Sequence, residues 1–339
     1  MRNTPIYMDY HATTPVDKRV LDAMLPFFTE HFGNAASLQH RFGWIAKEAV
    51  DIARRKIANA LHVQSGEIFF TSGATEANNL AIKGIAEAYR SKGNHIITTQ
   101  IEHKCVLESC KKLEKTGWDV TYLPVDATGK VSVTDLERSI TPETVLVSIM
   151  AANNEIGTVQ PLEAIGAVCE KHGVLFHTDA TQAVGRIPLD LQGMNIHLLS
   201  FASHKIYGPK GVGALYIRSK NPRVAIETQM HGAGHEHGLR SGTLNVAGIV
   251  GFAKAVQIAM DEAEVENGRL FRLRNRLQER LTLIENISVN GSAEHRLPNN
   301  LNVTFHGVSA DQIMTEMTDV AVSAGSACTS EEIGEIRYS

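Results

Sequence analysis

A chain of 339 residues, 43% of them hydrophobic and 21% charged, has room for one large and one smaller domain around packed cores, which excludes wholesale disorder. Its formal net charge of −4 offers no global attraction to nucleic acid or an anionic membrane, and no apolar run approaches the ~20 residues of a membrane span. Four cysteines without a C-x-x-C pair do not frame a disulfide scaffold, and the first nine residues carry no signal-peptide pattern, so reduced thiols in a cytoplasmic protein are expected.

A strand is expected over 68–71 and a helix over 76–90. Strand 95–99, helix 104–115, strands 120–124 and 145–150, helix 162–172, and strands 174–178, 198–203 and 213–217 follow. Strands separated by helical segments imply an α/β fold with a mostly parallel central sheet and helices on both faces. Ligands of such sheets bind in crevices outside the strand ends. The pattern changes near residue 246. There 246–283 reads as one helical stretch broken near 267–268, followed by strand-like 287–290, strand 300–304, helix 311–317 and strand 320–323. That grouping predicts a smaller α+β domain, with the large domain over 16–250 and the small one formed by 1–15 together with 251–339.

Five segments carry chemistry. In IFFTSGATEANNL, from Ile68, a strand runs through Ser-Gly-Ala-Thr directly into a helix, whose free N–H groups and dipole can cradle a phosphate, with Thr75 adding a hydroxyl; an ordinary strand–turn–helix joint reads the same way. In HTDATQAVG, Asp179 ends an apolar strand, where it can neutralise a cationic ligand or merely cap a helix. In SFASHKIYGPKG, Lys205 ends another strand, and a lysine in a crevice among helices can lose its proton and form a Schiff base. A Schiff-base lysine, a carboxylate for a pyridinium nitrogen and a phosphate cup are the protein parts that pyridoxal phosphate requires. In VSAGSACTS, Cys328 sits among small residues after the last strand, in a setting that suits a mobile, reactive thiol, whereas Cys105, Cys110 and Cys169 lie on helices and read as core thiols. In TQIEHKCVL, His103 follows a strand end and could lie over a flat cofactor ring or simply pack.

Taken in order, SGATEANN, EHK, NNEIG, HTDATQ, SHKIYGPKG, RSGTLN and GSACTS resemble the cysteine desulfurases of the NifS/IscS type, fold type I pyridoxal-phosphate enzymes related to class V aminotransferases. The resemblance runs from YMDYHATTPVD at residue 7 to GSACTS. It implies that Lys205 holds the cofactor as a Schiff base and later shuttles the Cα proton, that Asp179 pairs with the pyridine nitrogen, and that Gln182 bonds the phenolic oxygen. His103 would stack on the ring and act as acid or base, and Asn154 would touch ring and substrate, with Asn34 a second substrate contact. Ala74, Thr75, Ser203 and His204 would surround the phosphate, and Thr243 would reach it from the partner subunit of a homodimer. Cys328 would be the nucleophile that takes sulfur from L-cysteine, releases alanine and passes a persulfide to an acceptor or iron–sulfur scaffold protein. GSACTS places the chain in the long-loop branch of the family rather than the SufS branch.

Three departures from the family pattern stand out. Ala202 replaces a common serine, with Ser203 shifted by one, and Ala35 replaces a common proline. After Cys328 the resemblance leads one to expect a longer tail with an arginine for the substrate carboxylate, whereas the sequence closes on EEIGEIRYS, whose Arg337 matches part of a family strand. A related aminotransferase or selenocysteine lyase would share Lys205 and Asp179 without needing the thiol, and a catalytically impaired sulfur-assembly partner is the reading from another class. His231, His235 and His237 in HGAGHEHG lie in a loop that matches the family, so no metal site is assigned.

Overall fold

The computed structural model describes residues 4–325; Cys328 and Arg337 lie outside the described residues. Its central sheet has seven strands, β2 (Ile68–Thr71), β3 (His95–Thr99), β4 (Asp119–Leu123), β5 (Thr144–Ser148), β6 (Leu175–Asp179), β7 (Leu198–Ala202) and β8 (Gly213–Ile217). They lie in the order β2-β8-β7-β6-β5-β3-β4, parallel throughout except for β8, which runs against both its neighbours. β3, β5, β6, β7 and β8 are buried at every residue, as expected of strands covered on both faces. Alternate side chains feed two separate cores: Ile97, Phe176, Leu199 and Tyr216 enter one, and their strand neighbours Ile96, Leu175, Leu198 and Leu215 enter the other.

The first core is closed by α1 (Lys18–Met24), α2 (Pro26–Thr29), α3 (Arg41–Ala60), α6 (Val133–Ser139), α7 (Leu162–His172) and α8 (Val246–Asp261). The second is closed by α4 (Ala74–Ala88) and α5 (Lys104–Glu114). The longest helix, α3, presents Ala46, Val50, Ala53 and Ile57 to the core at helical spacing. It was not among the expected elements, nor were α1, α2, α6 and the short β1 (Ile6–Tyr7). α8 crosses α1 closely: a Cβ on Gly251 would stand 2.5 Å from Met24 Sδ, so a larger residue there would have to displace the Met24 side chain.

The helical stretch after 246 breaks at Glu262, not at 267–268: α9 begins at Ala263 and runs through to Leu281. Packing decides the position. α8 buries nine residues in the core, whereas α9 buries only Arg274, so the break falls where the packing partner ends. Asn267 stays helical because its amide donates to the carbonyls of Gly185 and Arg186, at 3.2 Å each.

Beyond the main sheet, β9 (Ile287–Val289) and β10 (Val303–Phe305) pair antiparallel, and β11 (Val320–Ala321), after α10 (Ala310–Glu316), pairs parallel with β1. The expected strand at 300–304 starts only at Val303, because Asn300 and Asn302 turn their amides to the carbonyl of Glu155, at 3.0 and 3.2 Å. Among the described residues no helix is long and apolar enough to cross a membrane.

Candidate active site

The carboxyl ends of the parallel strands open into a cavity of about 600 Å³. Its floor carries His103 after β3, Asp179 at the end of β6, Lys205 in the turn after β7 and the first residues of α4. The segment 8–13, the residues 300–302 and the residues after β11 complete the wall.

Asp179 is 5% exposed and accepts two hydrogen bonds, from Asn78 Nδ2 at 2.6 Å and from the backbone N–H of Thr181 at 2.9 Å. A buried carboxylate held this way is aimed, because its oxygens cannot rotate without losing both donors. Lys205 Nζ donates to the backbone carbonyls of His11 and Ala12, the latter at 2.8 Å, which ties it to the segment that lines the cavity. α4 opens without a side-chain cap: Gly73, at φ +155, lies in a backbone region that L side chains rarely adopt, and a Cβ built there would meet nothing within 4 Å. Open space in front of uncapped helical N–H groups suits an anion. The same turn is tied down by Glu76, which accepts from Ser72 N at 2.8 Å and from Arg240 Nε at 2.7 Å, linking it to the RSGTLN segment.

The histidines around the cavity are held neutral. Burial pushes His204 down to about 4, with Lys205 adding to the effect, and its Nδ1 lies 3.1 Å from Thr13 Oγ1. Burial and Lys205 likewise push His11 down to about 4. Burial lowers His103 too, against the opposing pull of Asp179, and the His103 side chain caps α5 by accepting from Cys105 N. Beside it, Glu102 is fully buried; Oε1 accepts from Thr99 Oγ1 at 2.8 Å and Met150 N at 2.9 Å, and burial pushes the carboxyl up to about 8.

Of the residues expected from sequence, Lys205, Asp179, His103, Ala74, Thr75, Asn154, Gln182 and His204 all line this one cavity. Ser203 does not: its buried hydroxyl has no hydrogen-bond partner and faces Gly208, whose Cβ position would lie 1.9 Å from it. Asn34 and Thr243 are exposed and away from the lining, and Asn34 Oδ1 is used on Ala36 N at 2.9 Å. Cys110 and Cys169 are core thiols; Cys105, partly buried, packs against the second core as expected and also lines the cavity. His11 was missed. It brackets Gln182 through Nδ1 to Oε1 at 3.1 Å and through its carbonyl, which accepts from Nε2 at 3.0 Å. His235 accepts from Gly242 N, His237 packs edge-on to Phe69, and among the described residues no group of three His, Cys, Asp or Glu could hold a metal.

The model of the aminotransferase class-V family matches residues 6–338. Curated relatives include the cysteine desulfurase IscS of Escherichia coli, 54% identical over 331 residues (97% of this chain, 82% of the relative), and that of Anaeromyxobacter, 53% identical over 330 residues (97% and 81%). A solved NifS-like protein superposes with a TM-score of 0.90 at 42% identity, covering 94% of this chain and 87% of its own. A structure described as SspA in complex with cysteine gives 0.83 at 40% identity, covering 96% and 91%. Five motifs that meet in one cavity, in a chain matched at this identity over nearly its whole length, lead to one assignment: the chain belongs to the class-V aminotransferase family, as a cysteine desulfurase of the NifS/IscS type.

Proposed function

We propose that the cavity binds pyridoxal 5′-phosphate and L-cysteine, and that sulfur leaves the substrate for Cys328, yielding L-alanine and a protein persulfide. One observation carries this reading: an amine at Lys205, an aimed carboxylate at Asp179 and an uncapped helix start at Gly73–Thr75 share a single cavity. Those three groups fit the cofactor's aldehyde, pyridine nitrogen and phosphate respectively. When bound, pyridoxal phosphate supplies an electron sink for the bonds at the Cα of an amino acid.

The remaining work falls to the protein. Asp179 would keep the cofactor's pyridine nitrogen protonated. Lys205 would hold the cofactor and could take up and return the substrate's Cα proton. Gln182, braced by His11, would donate to the cofactor's phenolic oxygen, and Asn154 and His103 would orient the substrate. The Cys328 thiolate attacks the substrate sulfur, so the substrate C–S bond breaks as the S–S bond forms, and no outside oxidant is needed. Cys328 lies outside the described residues; support for its role comes from the GSACTS motif and the family.

The same reading includes a homodimer. Phe28, Phe32, Leu38, Phe42 and Trp44, from α2 to the start of α3, are each more than half exposed, an apolar patch of the kind that marks a protein interface. Asn34 lies within that stretch, and Thr243 is exposed in the segment whose Arg240 pairs with Glu76; in this reading both serve the partner subunit's cavity. The persulfide passes to a sulfur-acceptor or iron–sulfur scaffold protein in the cytoplasm. The test is product analysis: L-cysteine should give alanine and, with reductant, sulfide, whereas an amino group moved to a 2-oxo acid without sulfide would indicate an aminotransferase.

A further inference from the structure

We propose that Cys105 is a positioning residue that fixes the ring tautomer of His103, through a hydrogen-bond chain that starts at Asp179. The inference rests on the role assigned above to His103, and it follows from counting donors. Asn78 is fully buried on α4, with Nδ2 2.6 Å from Asp179 Oδ2 and 3.2 Å from Cys105 Sγ. An amide nitrogen only donates and a carboxylate only accepts, so the Asn78 amide has one orientation: flipped, its oxygen would face the carboxylate. Both Nδ2 hydrogens are then committed, one to Asp179 and one to the Cys105 sulfur.

Sulfur that accepts from Asn78 must send its own hydrogen elsewhere. His103 Nδ1 lies 3.0 Å away. The backbone N–H of Cys105 donates to the same Nδ1 at 3.2 Å. A ring nitrogen that faces two donors presents its lone pair, so the neutral imidazole carries its proton on Nε2. Among the described residues Nε2 has no hydrogen-bond partner, so this N–H is left to the contents of the cavity that His103 lines. His103 therefore enters the reaction as a donor.

The electrostatics agree with the geometry. Burial and the Asp179 carboxylate push the Cys105 thiol up to about 12, so it keeps the hydrogen it has to donate, and the Thr75 hydroxyl lies on the same sulfur. Burial holds His103 neutral; Asp179 on β6 and Glu155 oppose this, while Lys205 and Lys104 reinforce it. A thiol so disfavoured as thiolate is a poor persulfide carrier, which separates Cys105 from the role given to Cys328.

Ring-nitrogen NMR of histidine-labelled protein, with and without pyridoxal phosphate at about pH 7.5, reads the tautomer directly, with the His103 signals assigned by their loss in His103→Gln. The unmodified protein should show a bare Nδ1 and a protonated Nε2 in both forms. Cys105→Ala leaves only the backbone N–H on Nδ1, so it should shift the His103 ring-nitrogen signals toward a larger Nδ1-protonated fraction and raise the acid limb of the kcat/KM profile by about half to one pH unit, because it removes one of two donors that favour the neutral ring. Turnover should fall about two- to fivefold at an unchanged thermal midpoint, and Cys105→Ser should restore tautomer and acid limb. A proton on Nδ1 in the unmodified protein, or a Cys105→Ala protein with unaltered ring signals and acid limb, would overturn the proposal. A chain that releases no alanine would instead count against the proposed activity, with the ring signals still readable.

Discussion

Lys205 and Asp179 are separated by 26 positions in the chain, but the ends of adjacent strands β6 and β7 bring both to the cavity floor. Substituting either should affect different observables. Lys205→Ala should lose the visible absorbance of the protein-bound Schiff base while keeping part of its cofactor through the phosphate turn; an unchanged spectrum would move the attachment to Lys210, the other lysine lining the cavity. Asp179→Asn turns one accepting oxygen into an amide N–H that faces a donor, Asn78 Nδ2 or the Thr181 N–H, and loses the anion that would hold the ring proton, so it should lower turnover by about a hundredfold or more, measured as alanine release. Most of these residues were legible from sequence because each sits in a short motif at a strand end. Cys105 was legible only in part. It packs at the edge of the core that holds Cys110, as its helix suggests, but five steps of an α-helix turn about 140°, which also brings it to the cavity. His11 was illegible for another reason: its partners Gln182 and Asn300 lie 171 and 289 positions away, and no local pattern encodes such a contact.

At the scale of elements, the turns that follow β3 and β5 are joined by Glu102, whose carboxyl spans Thr99 and Met150 N. Its folded-state pKa is raised, to about 8, so the acid is neutral when folded and the stability it contributes is fully present below the ordinary glutamate range. That contribution falls as pH rises from about 4.5 toward 8. Glu102→Gln, which keeps the accepting oxygen and cannot ionise, should flatten the fall of the thermal midpoint across that window, measured by circular dichroism at several pH values. An equally steep fall in the variant would mean that Glu102 is already charged. The central strands were legible as continuous apolar runs. α3 was not, because RFGWIAKEAVDIARRKIANA mixes charge into its core face, including the buried Arg54, which pairs with Glu236 at 2.6 Å. The break at Glu262 was misplaced because Gly268 is a local signal, whereas packing of α8 against α1 and α3 is a tertiary one.

For the whole molecule, the proposed homodimer would cover the apolar patch around Phe32 and Trp44. Sedimentation should find a dimer, and Phe32→Asp with Trp44→Asp should weaken it and reduce turnover at low protein concentration; a fully active monomer would contradict a partner's contribution from Thr243. The proposed chemistry then converges on one sulfur atom. After a single turnover with L-cysteine and without reductant, mass spectrometry of the unmodified chain should find one extra sulfur on Cys328 with an equivalent of alanine released, and Cys328→Ser should bind cofactor yet release little or none. An extra sulfur on Cys105, Cys110 or Cys169 instead, or undiminished alanine release by Cys328→Ser, would contradict it.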